Sequence, residues 1–299
     1  MDRRNWILLL ALAALWGASY LFIKIGLDDL SPAGIVFTRT ALAALVLLPV
    51  AIKRGGMAPL WRRAPALALL AAVQVAGPFL LISAGEQHIA SSLAGILVAA
   101  APIFTAIFAI WLDQAERLST NGVIGVVIGI LGVALLLGVE VDGSGLAGGL
   151  MVVLASVGYA LGGFGLKRYF TGYQPIALVA STMTASAIMT LPLFLLDLPG
   201  RVGADTAAAM AALGLGGTGI AFVIYYTLNR EIGPTRTSLV AYVAPVFAVV
   251  YGVTLLDEDF GFTTALGIVL IVGGSWLAAK SPARAPVEAP QARSAEAAA

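Results

Sequence analysis

The chain alternates long apolar runs with short polar breaks, ten runs in all, and each run is about 20 residues long. A helix of that length crosses the ~30 Å hydrocarbon core of a bilayer. The runs predict helices over 6–27, 32–52, 65–85, 90–112, 119–139, 145–166, 175–196, 206–229, 235–256 and 262–280. Pro32, Pro65 and Pro175 fall at predicted helix starts, where the missing N–H costs nothing. The segment 281–299 is rich in Pro and Ala and is expected to form a disordered tail.

The second five runs repeat the first five. Pro32/Pro175, Pro49/Pro192 and Pro102/Pro245 are each separated by 143 residues. Fourteen prolines scattered over 299 residues would give about a third of one such pair by chance. Residues 1–140 therefore read as one repeat and 141–280 as a second. Five is odd, so the second copy enters the membrane from the opposite side. The expected fold is an all-α membrane protein of ten transmembrane helices, arranged as two inverted five-helix repeats around a central cavity. Secondary transporters are built this way.

Composition narrows the classes. Hydrophobic residues make up 60% and charged residues 11%, outside the range of a soluble domain. The net charge of +1 gives no reason to expect a nucleic-acid partner. With no cysteine and one histidine, neither a cofactor nor a metal site is expected, and a membrane enzyme would lack its cluster of acids and bases. Met1-Asp2-Arg3-Arg4 before an apolar run imitates a signal peptide, but the run continues past the cleavage-like Ala11-Leu12-Ala13 to Phe22-Ile23. Seventeen Lys and Arg, less Lys24 and Arg39 inside spans and Arg201 on one side, leave fourteen on the other side. Both termini are therefore expected in the cytoplasm. Trp6, Trp61, Trp111 and Trp276 fall at that interface; Trp16 lies about 15 Å deeper.

Trp16-Gly17-Ala18-Ser19, Thr38-Arg39-Thr40-Ala41-Leu42-Ala43 and the stretch from Ala101-Pro102 to Glu116-Arg117-Leu118 resemble the EamA family of the drug/metabolite transporter superfamily. Ala244-Pro245 to Asp257-Glu258 repeats the last pattern, and the resemblance covers about 6–280. Within the superfamily the chain most resembles the bacterial exporters of aromatic amino acids. The resemblance implies a ten-helix basket in the bacterial inner membrane. Helices 1–4 and 6–9 would surround the cavity, with 5 and 10 outside.

Several residues are candidates for the cavity. Trp16 and its repeat partner Tyr159 both fall near mid-membrane, placed either to stack on a planar solute or to pack between helices. Tyr20 follows Trp16 by one turn. Arg39 lies two turns inside its helix, positioned to hold a carboxylate or helix-end carbonyls, and matches the family's Arg. Lys24 is expected to snorkel to the surface rather than bind solute. Gln74 precedes Gly77-Pro78-Phe79, a polar contact beside a flexible point. Pro78, Pro102 and Pro245 read as bends on which gates move. Tyr242 and the Tyr225-Tyr226 pair stand at the cytoplasmic mouth or anchor at the interface. Glu86 and His88, at the outer end of helix 3, are expected to be a solvated pair, the alternative being a proton site. With no Asp or Glu near any midplane, a facilitator or loosely coupled carrier is expected. Gly122, Gly125, Gly129 and Gly132, with Gly267, Gly273 and Gly274, mark close seams, within the chain or in a homodimer.

The function these expectations describe is export of a small amphipathic solute, an aromatic amino acid foremost, by alternating access. Lipophilic cations are the second substrate class, disfavoured if Lys24 and Arg39 both face inward. A non-transporting scaffold has no need of inverted duplication.

Overall fold

The computed structural model describes residues 1–112, 120–139 and 143–279. Expectations that rest on Glu116, Arg117 and Leu118 and on the tail from 281 lie outside the described residues. Among the described residues ten apolar helices occur: α1 (Arg3–Gly26), α2 (Pro32–Arg54), α3 (Ala64–Gly85), α4 (Ser91–Leu112), α5 (Thr120–Gly138), α6 (Gly143–Tyr169), α7 (Pro175–Leu196), α8 (Ala204–Ile232), α9 (Val240–Leu255) and α10 (Phe262–Ala279). All but α9 are long and apolar enough to span a membrane, and no strand occurs among the described residues. Sequence also sets the starts. At α2 the Ser31 hydroxyl accepts from the Gly34 N–H, and Pro32 takes the first helical position.

The two copies interlock. The packed pairs include α1–α9, α4–α6, α3–α6, α1–α8, α2–α7 and α5–α10. Exchanging the copies turns α1–α9 into α4–α6 and α3–α6 into α1–α8, and leaves α2–α7 and α5–α10 as they are. That is a pseudo-two-fold arrangement. Small residues let the backbones meet. A Cβ added to Gly274 of α10 would stand 2.6 Å from the Gly125 carbonyl oxygen, and one on Gly132 would stand 2.9 Å from Ile271. These glycines are used between α5 and α10 inside one chain, whereas Gly273 faces open space. Trp6, Trp61, Trp111 and Trp276 are exposed, as interfacial anchors should be, and Trp16 is half-buried.

Two irregularities follow the repeat. α3 widens to a π-helical turn at Ala72–Ala76 and α8 does so over Ala212–Ile220. Shifted by 143, the first bulge falls inside the second. Bulges of this kind are frequent at functional sites. The prolines behave less evenly. α4 is interrupted at 99–100, where the Ala99 and Ala100 N–H groups bond three residues back, because Pro102 has no N–H and its ring displaces the Val98 carbonyl. Side chains meet the freed carbonyls: Ser156 Oγ, which donates to Leu97 O (3.2 Å), also reaches Val98 O (3.5 Å), and Ser275 Oγ donates to Ala99 O (2.8 Å). Pro245, by contrast, sits inside the continuous α9. The break in that copy comes earlier, at 238–239, after a short turn Pro234–Thr237, so the helix is interrupted beside its proline in α4 and not in α9.

Candidate functional site

Arg39 is the centre of the site. It projects from the buried face of α2 that also carries Ile35, Val36 and Ala43, and it is 3% exposed. Its Nε–H donates to Thr218 Oγ1 at 3.0 Å. The α8 bulge makes this possible: Thr218 donates its own hydroxyl to the Leu213 carbonyl five residues back, leaving its oxygen free to accept. The guanidinium lies 3.6 Å from the centroid of the Phe79 ring, which Pro78 and the α3 bulge deliver from the other side. A cation so placed is stabilised by the ring quadrupole, all the more when desolvated. Arg39 makes no other hydrogen bond and no ion pair among the described residues. An arginine has five N–H donors, so most remain unspent.

Aromatic side chains surround this cation. Tyr20 and Tyr159 are both near enough to interact electrostatically with Arg39. Phe79 meets Phe222 edge to face at 6.3 Å, and Phe222 meets Trp16 at 5.8 Å. Trp16 also tilts against Tyr225 at 5.2 Å. Trp16 and Tyr159 pack against the same buried cluster, without a ring contact between them among the described residues.

Other expected residues lie elsewhere. Tyr225 and Tyr226 are not interfacial anchors: they pack with Trp16 and Phe222 because α8 turns that face inward. Tyr242 donates to the Ser275 carbonyl at 3.2 Å and ties α9 to α10. Gln74 is buried in the α3 bulge against Gly162 of α6, with its Oε1 unpartnered. Lys24 does not snorkel. It donates to the carbonyls of Glu86 (2.7 Å) and Ile89 (3.0 Å) in the turn that follows α3. Lys24 and Arg39 thus both bond to groups of the protein.

The expectation of a solvated Glu86–His88 pair is corrected for one member. His88 is exposed, but Glu86 is completely buried. Gly85 and Gly148 of α6 abut so closely that a Cβ on Gly148 would stand 2.8 Å from the Gly85 carbonyl oxygen. That contact and the Lys24 bonds draw the turn after α3 into the protein.

The copies are also joined at their ends. Beside Glu86, the Glu258 carboxylate accepts the N–H groups of Ser91 (2.7 Å) and Ser92 (2.9 Å), capping α4 from the other repeat. Burial pushes the Glu258 carboxyl up, but hydrogen bonding from Ser92 and Ser91 outweighs it and holds the group below its ordinary value. Asp29 accepts from the Gly203 N–H at 2.8 Å, and bonds from Thr206 and Gly203 hold its pKa below the ordinary value. At the opposite end Arg4 pairs with Glu231 at 2.7 Å, exposed. Two apolar grooves flank α2, one of about 460 Å³ beside Pro32, Leu80 and Met151, the other of about 370 Å³ beside Thr38, Leu42 and Phe194. Neither includes the Arg39 cluster.

Sequence reasoning missed Thr218, Phe222 and Glu258. Phe222 had a signal, since it stands 143 residues after Phe79. Thr218 had a weaker one, at the same offset from Val75 beside Gln74.

The sequence profile of the EamA-like transporter family matches twice, over residues 4–138 and 146–279. An "Uncharacterized transporter" of Archaeoglobus fulgidus is 27% identical over 277 residues, covering 92% of this chain and 98% of that protein. The "Uncharacterized inner membrane transporter YedA" of Escherichia coli K12 is 28% identical over 294 residues, 93% and 94% of the two chains. A "Probable terminal-alkyne amino-acid exporter" of Streptantibioticus cattleyicolor is 28% identical over 260 residues, 86% and 87%. A solved structure described only as "Crystal structure of protein" superposes with a TM-score of 0.69 at 22% identity, over 93% of this chain and 98% of that one, and shares the fold.

Proposed function

The chain belongs to the EamA-like transporter family, and from that membership we propose that it exports a small amphipathic solute with a carboxylate, foremost an aromatic amino acid. The observation that carries this reading is Arg39: a buried guanidinium with one hydrogen bond, set on Phe79 and faced by Tyr20 and Tyr159. A carboxylate would take the unspent N–H donors in a charge-assisted pair, and the solute's ring would lie among Trp16, Phe79 and Tyr159. The relative named as an amino-acid exporter supports the same class. Lys and Arg crowd the side that holds Arg3, Lys53, Arg62, Lys167 and Arg230, which supports cytoplasmic termini. The ends that join the copies, Glu258 with Ser91 and Ser92 and Arg4 with Glu231, would part alternately as the repeats rock.

Counterflow in proteoliposomes with labelled tryptophan, phenylalanine, threonine and a quaternary amine tests the reading. Exchange of tryptophan and phenylalanine ahead of the amine is expected. Arg39→Ala should abolish it and Trp16→Ala should weaken it about tenfold, both in folded protein. Preference for the amine, or normal exchange by folded Arg39→Ala, would refute it.

A further inference from the structure

Glu86 is the first residue past α3, and burial there is complete. Neither carboxylate oxygen accepts a hydrogen bond, although its own backbone carbonyl takes one from Lys24. Native proteins rarely leave a buried acceptor unfilled, and an ionised carboxylate with no donors is strongly disfavoured there. A neutral, protonated carboxyl avoids that cost.

The groups that face it come from three places. α1 supplies Lys24 and Tyr20, α2 supplies Arg39, and the connection between α9 and α10 supplies Glu258. From its own turn, His88 is exposed. Burial pushes the Glu86 carboxyl well above its ordinary value; Lys24 works against that and Glu258 with it. The same Glu258 closes this end of the molecule by gripping Ser91 and Ser92, five and six residues after Glu86. Release of that grip would expose the turn, and Glu86 with it, to water.

We infer that Glu86 is a proton-binding site linked to this end of the transporter: its carboxylate takes up one proton when Glu258 closes over Ser91 and Ser92, and returns it to water when they part. Only an O–H bond forms and breaks. The sign follows from linkage: the closed form holds the extra proton, so acid favours closure and rising pH favours opening, by up to about tenfold per pH unit once Glu86 ionises. The inference rests on the transporter reading for its role in a cycle, not for the presence of the proton.

The chain has no cysteine, so Ser83→Cys, one turn before Glu86 and buried, gives a single reporter. An impermeant maleimide should label it faster as pH rises, beyond the rise shown by a free thiol peptide. Adding Glu86→Gln should remove that excess, and adding Glu86→Asp should retain it. Infrared difference spectra of purified protein at pH 7 should show a protonated-carboxyl band that Glu86→Gln deletes and Glu86→Asp shifts. An unchanged band in Glu86→Gln, or an equal labelling excess with and without Glu86, overturns the inference. Failed phenylalanine counterflow with the band intact would instead overturn the proposed substrate and leave the proton site standing.

Discussion

Phe79 and Phe222, separated by 143 residues in the chain, meet edge to face with ring centroids 6.3 Å apart and planes at 77°. Equivalent residues of the two repeats touch only where the pseudo-two-fold axis passes, so this pair marks the axis. Arg39 rests on one of its rings and Trp16 on the other. A double-mutant cycle with Phe79→Ala and Phe222→Ala, followed by unfolding in detergent, should give a coupling of about 0.5–1.5 kcal/mol. Additive losses would mean that the rings merely fill space.

Thr218→Val removes the one hydrogen-bond acceptor of Arg39 and keeps the shape. Interhelical hydrogen bonds of this kind contribute about 0.6–2 kcal/mol in membrane proteins. The variant should lose stability of that order in a denaturant titration, and the losses from Thr218→Val and Arg39→Ala should sum to more than the double variant shows, because the two changes remove the same bond.

Glu258→Gln should weaken the joint with α4 by about 1 kcal/mol at neutral pH, the ordinary size of an N-cap contribution. The folded carboxyl is held below its ordinary value, so its stabilisation is complete above the unfolded pKa of about 4.3 and fades as pH falls through the lower folded one. Melting temperatures of wild type and variant, measured from pH 7 downwards, should therefore converge only in strong acid.

Gly274→Leu should destabilise the α5–α10 seam, since even a Cβ would stand 2.6 Å from the Gly125 carbonyl oxygen. Overpacking of this kind costs about 1–3 kcal/mol. Gly273→Leu, one residue away and facing open space, should leave the melting temperature nearly unchanged.

Single cysteines in this cysteine-free chain report sidedness. Gly56→Cys and Gly172→Cys should react with impermeant maleimide from the cytoplasmic face, and Gly200→Cys from the other. Labelling of all three from one face would contradict the inverted arrangement.

Helix positions were legible because lipid imposes one rule on every turn: ten apolar runs of bilayer length leave little choice of fold. Arg39 and Phe79 were legible too, one as a charge inside an apolar run and the other as the residue after a proline. Side-chain direction was not. Lys24 stands a turn from its helix end, and whether it reaches out or in depends on carbonyls 62 and 65 residues further along the chain. Glu86 looked wet because it follows a helix end, and the Gly85–Gly148 contact and the Lys24 bonds, both distant in sequence, tuck it in. Thr218 gains its role from a π-helical turn, which leaves no periodicity in a run as apolar as Ala212–Ile220.

The unequal behaviour of Pro102 and Pro245 bears on how the copies diverged. Ser156 and Ser275 satisfy the opened carbonyls of α4, while α9 runs unbroken through its proline. A duplication begins with identical halves, so the broken helix and the continuous one record separate histories since that event. Grafting the 99–102 environment into α9 would need both serine donors to move with it, and a chimaera of two first repeats would inherit two interrupted helices and no continuous one.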